Sequence, residues 1–176
     1  MTPIVITGFM GCGKSEVARR LALRLHVPPI DLDHEIAKRT RRTAAQLIIE
    51  EGEAVFREIE TNTLREVLEG GIAIVALGGG AWISKTNREQ ISQHGGVSVW
   101  LDTPFELCWQ RIQASAEDRP LGRNREQAEQ LYGLRQPVYQ LATIRLPVTA
   151  HEPIENLVDR LEAELARATH NTQRHG

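Results

Sequence analysis

The chain has 176 residues, the size of one domain, and its 41% hydrophobic and 25% charged residues are an ordinary globular balance that excludes a disordered or fibrous class. A formal net charge of -2 provides no basic field of the kind that draws proteins onto phosphate backbones, so nucleic acid is not an expected partner. The start, Met1-Thr2-Pro3-Ile4, lacks the features of a signal sequence, no run approaches the ~18 apolar residues of a membrane span, and Cys12 and Cys108 fit no disulfide framework or zinc-type spacing, so residence in a reducing cytoplasm is expected.

Along the chain, Ile4-Val5-Ile6-Thr7 is an apolar β-branched run of the kind buried in a parallel sheet. It runs into Gly8-Phe9-Met10-Gly11-Cys12-Gly13-Lys14-Ser15, which fits G-x-x-x-x-G-K-[ST]. Val17, Ala18, Leu21, Ala22 and Leu25 then recur at helical spacing, with Arg19, Arg20 and Arg24 on the other face. Strand, glycine loop and helix are the context a phosphate-binding loop requires. Its backbone N–H groups turn inward at a helix N-terminus, Lys14 reaches the β- and γ-phosphates, and Ser15 offers its hydroxyl to Mg²⁺. A dinucleotide fingerprint would need a third glycine at position 16, where Glu16 stands.

A second short strand is predicted over 29–32, with Asp31 and Asp33 at its end pointing to one side, followed by helical segments over about 34–68. One aspartate can serve the metal and the other an acceptor hydroxyl; Asp33 is equally a helix cap before His34. Within Gly52-Glu53-Ala54-Val55-Phe56-Arg57-Glu58-Ile59-Glu60, Arg57 and Glu60 are helical neighbours, and an ordinary surface ion pair is the default expectation.

Residues 72–77 form a third buried strand closed by Gly78-Gly79-Gly80, at the carboxyl end where ligands bind in open α/β sheets. Residues 97–102 form a fourth, ending in Asp102-Thr103-Pro104; Asp102 is favoured as a helix cap over a Walker B metal ligand. Periodicity lapses over about 115–129, a polar stretch with Arg119, Arg123 and Arg125, which suits a mobile lid; one of the three arginines is expected to contact the transferring phosphate and the others to be solvated. Arg135 follows on a helix and can pair with a substrate carboxylate. A fifth strand over about 144–148 and a helix over about 153–168 complete an α/β doubly wound parallel sheet; residues 169–176 read as a frayed tail. The six histidines form no ligand cluster, and Trp82, Trp100 and Trp109 are expected to be packing residues.

In this order, residues 8–15, Asp31-Leu32-Asp33, Gly52-Glu53-x-x-Phe56-Arg57-x-x-Glu60, Gly78-Gly79-Gly80, Arg119-Pro120-Leu121 and Arg135-x-x-x-Tyr139 resemble the shikimate kinases, P-loop enzymes related to the nucleoside-monophosphate kinases, over nearly the whole chain. The resemblance implies a single P-loop kinase domain over 1–168, a five-stranded sheet of order 2-3-1-4-5, and a monomer that phosphorylates shikimate from ATP and Mg²⁺ on the route to chorismate. It implies ATP contacts from Gly11, Cys12, Gly13, Lys14, Ser15, Glu16 and the lid residue Arg119, with adenine held between Arg111 and Pro153. Asp33 would hold and deprotonate the acceptor hydroxyl, Asp31 would assist Mg²⁺ through water, and Arg57, Arg135, Gly79 and Gly80 would hold the acceptor. Ile48 stands where the family often has an aromatic residue in the acceptor pocket, and Gly122 replaces a leucine after the lid Arg-Pro. The alternatives are another hydroxy-acid kinase, such as a gluconate kinase, and a non-catalytic ATP-dependent interaction module.

Overall fold

The structure, a computed structural model, describes residues 2–71, 73–115 and 124–173, with the side chains of 169–173 excepted. Its centre is strand β1 (Ile4–Thr7), all four residues buried because it pairs with a neighbour on each edge while helices cover both faces. That position explains the unbroken apolar run, since a strand wet on one side would alternate. The sheet is completed by β2 (Pro29–Asp31), β3 (Ile74–Ala76), β4 (Val97–Asp102) and β5 (Ile144–Pro147), all parallel, in the order β2-β3-β1-β4-β5.

Parallel strands put every carboxyl end on one rim. From β1 the chain passes through α1 (Lys14–Leu25) to β2 on one side, whereas from β3 it passes through α5 (Lys85–Gln93) to β4 on the other. The adjacent loops after β1 and β3 therefore part in opposite directions and leave a crevice, the place where open α/β sheets bind ligands.

Between β2 and β3 lie α2 (Leu32–Thr40), α3 (Ala44–Glu51) and α4 (Glu53–Glu69). A capping box starts α3: Thr43 accepts from the Gln46 amide while Gln46 accepts from the Thr43 amide, at 3.2 and 2.8 Å, an arrangement worth about 1 kcal/mol. Gly52, at φ 92°, turns the chain from α3 into α4, a backbone region that side-chain-bearing residues rarely adopt. Of the remaining helices, α6 (Phe105–Ala114) packs on α7 (Arg125–Tyr139), and α8 (Ile154–Gln173) packs on α1 and β5.

Val17, Ala18, Leu21 and Ala22 are the buried face of α1, as their spacing predicts. Trp82 and Trp100 are packing residues: Trp82 is 3% exposed and donates from Nε1 to Val138 O at 2.9 Å, and Trp100 stacks on Tyr139 with ring centroids 6.2 Å apart. Each fully buried aliphatic side chain in such a core contributes about 1.5–3 kcal/mol. Cys12 and Cys108 are buried and free, and burial pushes the Cys108 thiol up to about 12. Arg24 on α1 meets Glu155, Asp159 and Glu162 on α8, and Arg20 meets Glu155 at 3.0 Å. Exposed pairs of this kind add little stability.

Two boundaries differ from expectation. The second strand ends at Asp31, and α2 already begins at Leu32, because the Asp31 side chain accepts from the His34 amide and caps the helix. Asp33 thus lies in the first helical turn and is not an extended i, i+2 partner of Asp31. The last helix continues to Gln173, beyond the expected end near Ala168. No helix among the described residues is long and apolar enough to cross a membrane.

Candidate active site

The loop after β1 has the backbone its glycines suggest. Gly11 takes φ 76°, and a methyl group placed on it would stand 2.6 Å from Cys108 O, so the position excludes side chains by conformation and by space. Gly13, at φ 101°, leads directly into α1, whose first residues are Lys14 and Ser15. The loop therefore ends on a helix N-terminus whose unpaired N–H groups and dipole favour an anion. Lys14 Nζ donates to Gly8 O and Phe9 O, each at 3.0 Å, so its ammonium arches over the loop.

Ser15 Oγ donates to Asp31 Oδ2 at 2.5 Å. A hydroxyl and a carboxylate from two neighbouring segments thus stand side by side at the loop mouth. From the other side, Arg111 on α6 reaches the loop and donates to Gly11 O at 3.4 Å and Cys12 O at 3.2 Å. Cys12 is buried, and the Glu16 side chain is occupied by Arg19 and Arg20 at 2.7 and 2.9 Å, which leaves these residues their backbone for phosphate. Hydrogen bonds from those two arginines hold the Glu16 carboxyl below its usual range. Pro153 stands exposed just before α8, on the loop that leaves the carboxyl end of β5.

Across the crevice, the three glycines after β3 each face a different charged side chain. A methyl group on Gly78 would lie 2.5 Å from Asp33 Oδ1, on Gly79 it would lie 3.4 Å from an Arg135 guanidinium nitrogen, and on Gly80 it would lie 2.6 Å from one of Arg57. One acidic and two basic groups are therefore packed along a stretch of bare backbone. Arg135 also donates to Gly79 O at 3.0 Å, as does Tyr139 Oη at 2.9 Å.

Arg57 is held by Glu60 at 2.9 Å and Glu53 at 3.2 Å, and lies 5.1 Å from the centre of the Phe56 ring. Glu60 is 1% exposed, which corrects the surface-pair expectation: the carboxylate is buried and its pairing aims the guanidinium at Gly80. Burial pushes the Glu60 carboxyl above the usual glutamate range against the pull of Arg57, with Asp33 adding to the rise and Arg135 opposing it.

A raised folded-state value has a defined consequence for stability. The contribution is complete below the unfolded value of about 4.3 and disappears as pH rises through the folded one. Glu60→Gln should therefore remove a component that falls with pH, so that the Tm of the variant gains on that of wild type as pH rises above ~4.3; parallel curves from thermal melts would show that Glu60 titrates alike in both states.

Asp102 does not cap a helix. It accepts from Arg145 Nε and a terminal guanidinium nitrogen at 2.8 and 2.6 Å, because β5 lies beside it and places a cation within reach. Arg125, one of the three arginines in the predicted lid, pairs with Glu106 and covers the Phe105 ring at 5.4 Å, anchoring the start of α7. Arg119 and Arg123 lie outside the described residues. Sequence reasoning missed two functional candidates, Glu60 as the buried partner of Arg57 and Tyr139 on Gly79; the signals were their spacings from Arg57 and Arg135, i+3 and i+4 on a helix.

Residues 10–166 match the family model described as shikimate kinase. The shikimate kinase of Ruegeria pomeroyi is 38% identical over 166 residues, which span 93% of this chain and 84% of that protein. That of Rhizobium leguminosarum bv. trifolii is 36% identical over 166 residues, 89% of this chain and 84% of its own. Among solved structures, a shikimate kinase from Acinetobacter baumannii in complex with shikimate superposes with a TM-score of 0.86 at 32% identity, covering 96% of this chain and 94% of that one. A gluconokinase from Sinorhizobium meliloti, at 20% identity and a TM-score of 0.71 over 99% of this chain and 97% of that one, shares the fold alone.

Proposed function

Because this chain belongs to the shikimate kinase family, we propose that its crevice transfers the γ-phosphoryl group of ATP to the 3-hydroxyl of shikimate, giving ADP and shikimate 3-phosphate. The observation that carries the reading within this structure is the succession Gly78, Gly79, Gly80 packed on Asp33, Arg135 and Arg57 opposite the phosphate loop. A hydroxy-acid needs just such a set: cations for its carboxylate, and a carboxylate for the reacting hydroxyl.

In this reading Arg57 and Arg135 hold the acid group by paired N–H donors, which fixes the ring so that one hydroxyl points in line at the γ-phosphorus. Asp33 accepts the hydroxyl proton as the new P–O bond forms and the bond to the β–γ bridging oxygen breaks, leaving ADP with the electron pair. Lys14 moves from the loop carbonyls to the β- and γ-phosphates, and Gly11, Cys12, Gly13, Ser15 and Glu16 supply N–H groups to the phosphate oxygens. Arg111 and Pro153 flank the base, and Arg119 contacts the transferring group.

The adjacent oxygens of Ser15 and Asp31, 2.5 Å apart, fit a hard cation that keeps several of its waters, so Ser15 would hold Mg²⁺ directly and Asp31 through water. When bound with ATP, the ion supplies charge neutralisation at the β- and γ-phosphates. A monomer and a cytoplasmic location belong to the same reading.

Purified protein given Mg-ATP should release ADP only when shikimate is present, with shikimate 3-phosphate detected in equal amount. Phosphorylation of gluconate but not shikimate would overturn the acceptor assignment. ATP binding without turnover on any hydroxy-acid would overturn the enzyme reading.

A further inference from the structure

The geometry points to Tyr139 as a positioning residue for the acceptor: it holds the Gly79 carbonyl in place when Arg135 turns to the substrate's carboxylate, and thereby keeps the Gly80 N–H aimed into the crevice. This inference rests on the functional reading above.

Gly79 O accepts two hydrogen bonds, from Tyr139 Oη at 2.9 Å and from Arg135 at 3.0 Å. The two donors differ in what else they can do. Arg135 is half-buried and carries a charge that a carboxylate attracts, so binding an acid draws its N–H groups from a neutral carbonyl to a charged acceptor, where a hydrogen bond is roughly twice as strong. Tyr139 has no such freedom. It is 0% exposed, its ring lies against Trp100 with a 22° interplanar angle, and burial pushes its hydroxyl above the usual tyrosine range, so it remains a neutral donor.

What the carbonyl does is transmitted across one bond. No peptide among the described residues is cis, and in a planar trans peptide the C=O of Gly79 and the N–H of Gly80 point in opposite directions. Fixing the carbonyl toward Tyr139 therefore fixes the Gly80 amide away from it, and the bare side of the same Gly80 Cα packs on Arg57. Glycine lacks the Cβ that would otherwise restrict this peptide, so the plane needs an external anchor. The following segment is anchored separately: Trp82 donates to Val138 O at 2.9 Å, Asn87 to Ala81 O at 2.9 Å, and Arg88 to Trp82 O at 2.6 Å. Among the described residues, only Arg135 and Tyr139 donate to the Gly79 carbonyl, and one of them is needed elsewhere.

Tyr139→Phe keeps the ring against Trp100 and deletes only the hydroxyl. Without acceptor, Arg135 still satisfies Gly79 O, so the free variant should melt close to wild type. With acceptor the anchor is lost. The KM for shikimate should rise about tenfold, while KM for ATP stays within about twofold, on the scale of one lost hydrogen bond to a positioned group. The thermal stabilisation given by saturating shikimate should shrink, whereas that given by ADP should not.

Unchanged shikimate KM in Tyr139→Phe, with active wild type, overturns the assignment, as does a proportional rise in the KM for ATP, which would mark a general structural role. Should the variant not fold, the amide resonance of Gly80 in wild type decides: a shift on adding shikimate without nucleotide is expected, and no shift overturns the assignment. Wild type that does not turn over shikimate at all overturns the functional reading first, so the two failures are distinct.

Discussion

Replacing Asp33 by Asn is expected to lower kcat for shikimate about a thousandfold, within the range of a lost general base, while the affinity for ATP changes less than about twofold. The amide has the size of the carboxylate and can still accept from a hydroxyl, but it cannot take the proton away. Position supports this division: Asp33 packs on Gly78 after β3, whereas Ser15 and Lys14 stand at the phosphate loop after β1. Folding should survive, because the α2 cap is Asp31 and the loss of one negative charge in a first helical turn costs only about 0.3–1 kcal/mol. Single-turnover phosphorylation and calorimetric titration with a non-hydrolysable ATP analogue measure the two quantities separately. Turnover within tenfold of wild type would remove Asp33 from the reaction and leave it as a packing partner of Gly78.

How much of this site was legible in the chain follows from where its information resides. The phosphate loop is local: eight consecutive residues between a strand and a helix set the backbone, and the structure gives Gly11 and Gly13 the positive φ values their positions require. Strand order and the crevice were legible once the family resemblance was drawn, and the β1 and β4 runs gave their strands directly.

The local geometry of Asp31 and Asp33 was misread because a strand end and a helix cap use the same residue type. The Asp31 side chain, at the end of the strand, accepts the His34 amide, and the helix starts two residues before the composition suggests. Asp102 was misread for a different reason. Its partner Arg145 is 43 residues away on β5, and no local pattern announces a cross-strand cation. The pairing of Arg57 with Glu60 was visible as helical spacing, but spacing carries no burial, and it is burial that changes an ordinary surface pair into a fixed guanidinium.

The glycine triplet shows the same limit most clearly, and it gives the second large prediction. Three identical residues in a row carry no hint of which matter, yet each faces a different neighbour in the structure. Gly78 has no left-handed backbone to lose, so alanine fits its conformation; its methyl group would instead stand 2.5 Å from Asp33 Oδ1 and 3.1 Å from Cγ. The short Asp33 side chain has no long arm with which to retreat, so the carboxylate must move. A displacement of about 1 Å in a reacting group costs on the order of a hundredfold in rate, and Gly78→Ala is expected to lose about that much in kcat with a smaller change in KM. Gly80→Ala meets the far end of the long Arg57 side chain at 2.6 Å, which can shift at low cost but away from the acid group, so its loss should appear mainly in the KM for shikimate. Gly79→Ala meets nothing closer than 3.4 Å and should be the mildest of the three. Steady-state kinetics on the three alanine variants test the whole arrangement at once. The order 78, 80, 79 in loss of kcat/KM, with the first in kcat and the second in KM, is what a base and a carboxylate-binding arginine behind bare backbone produce; equal losses at all three would mean that the segment is only a turn.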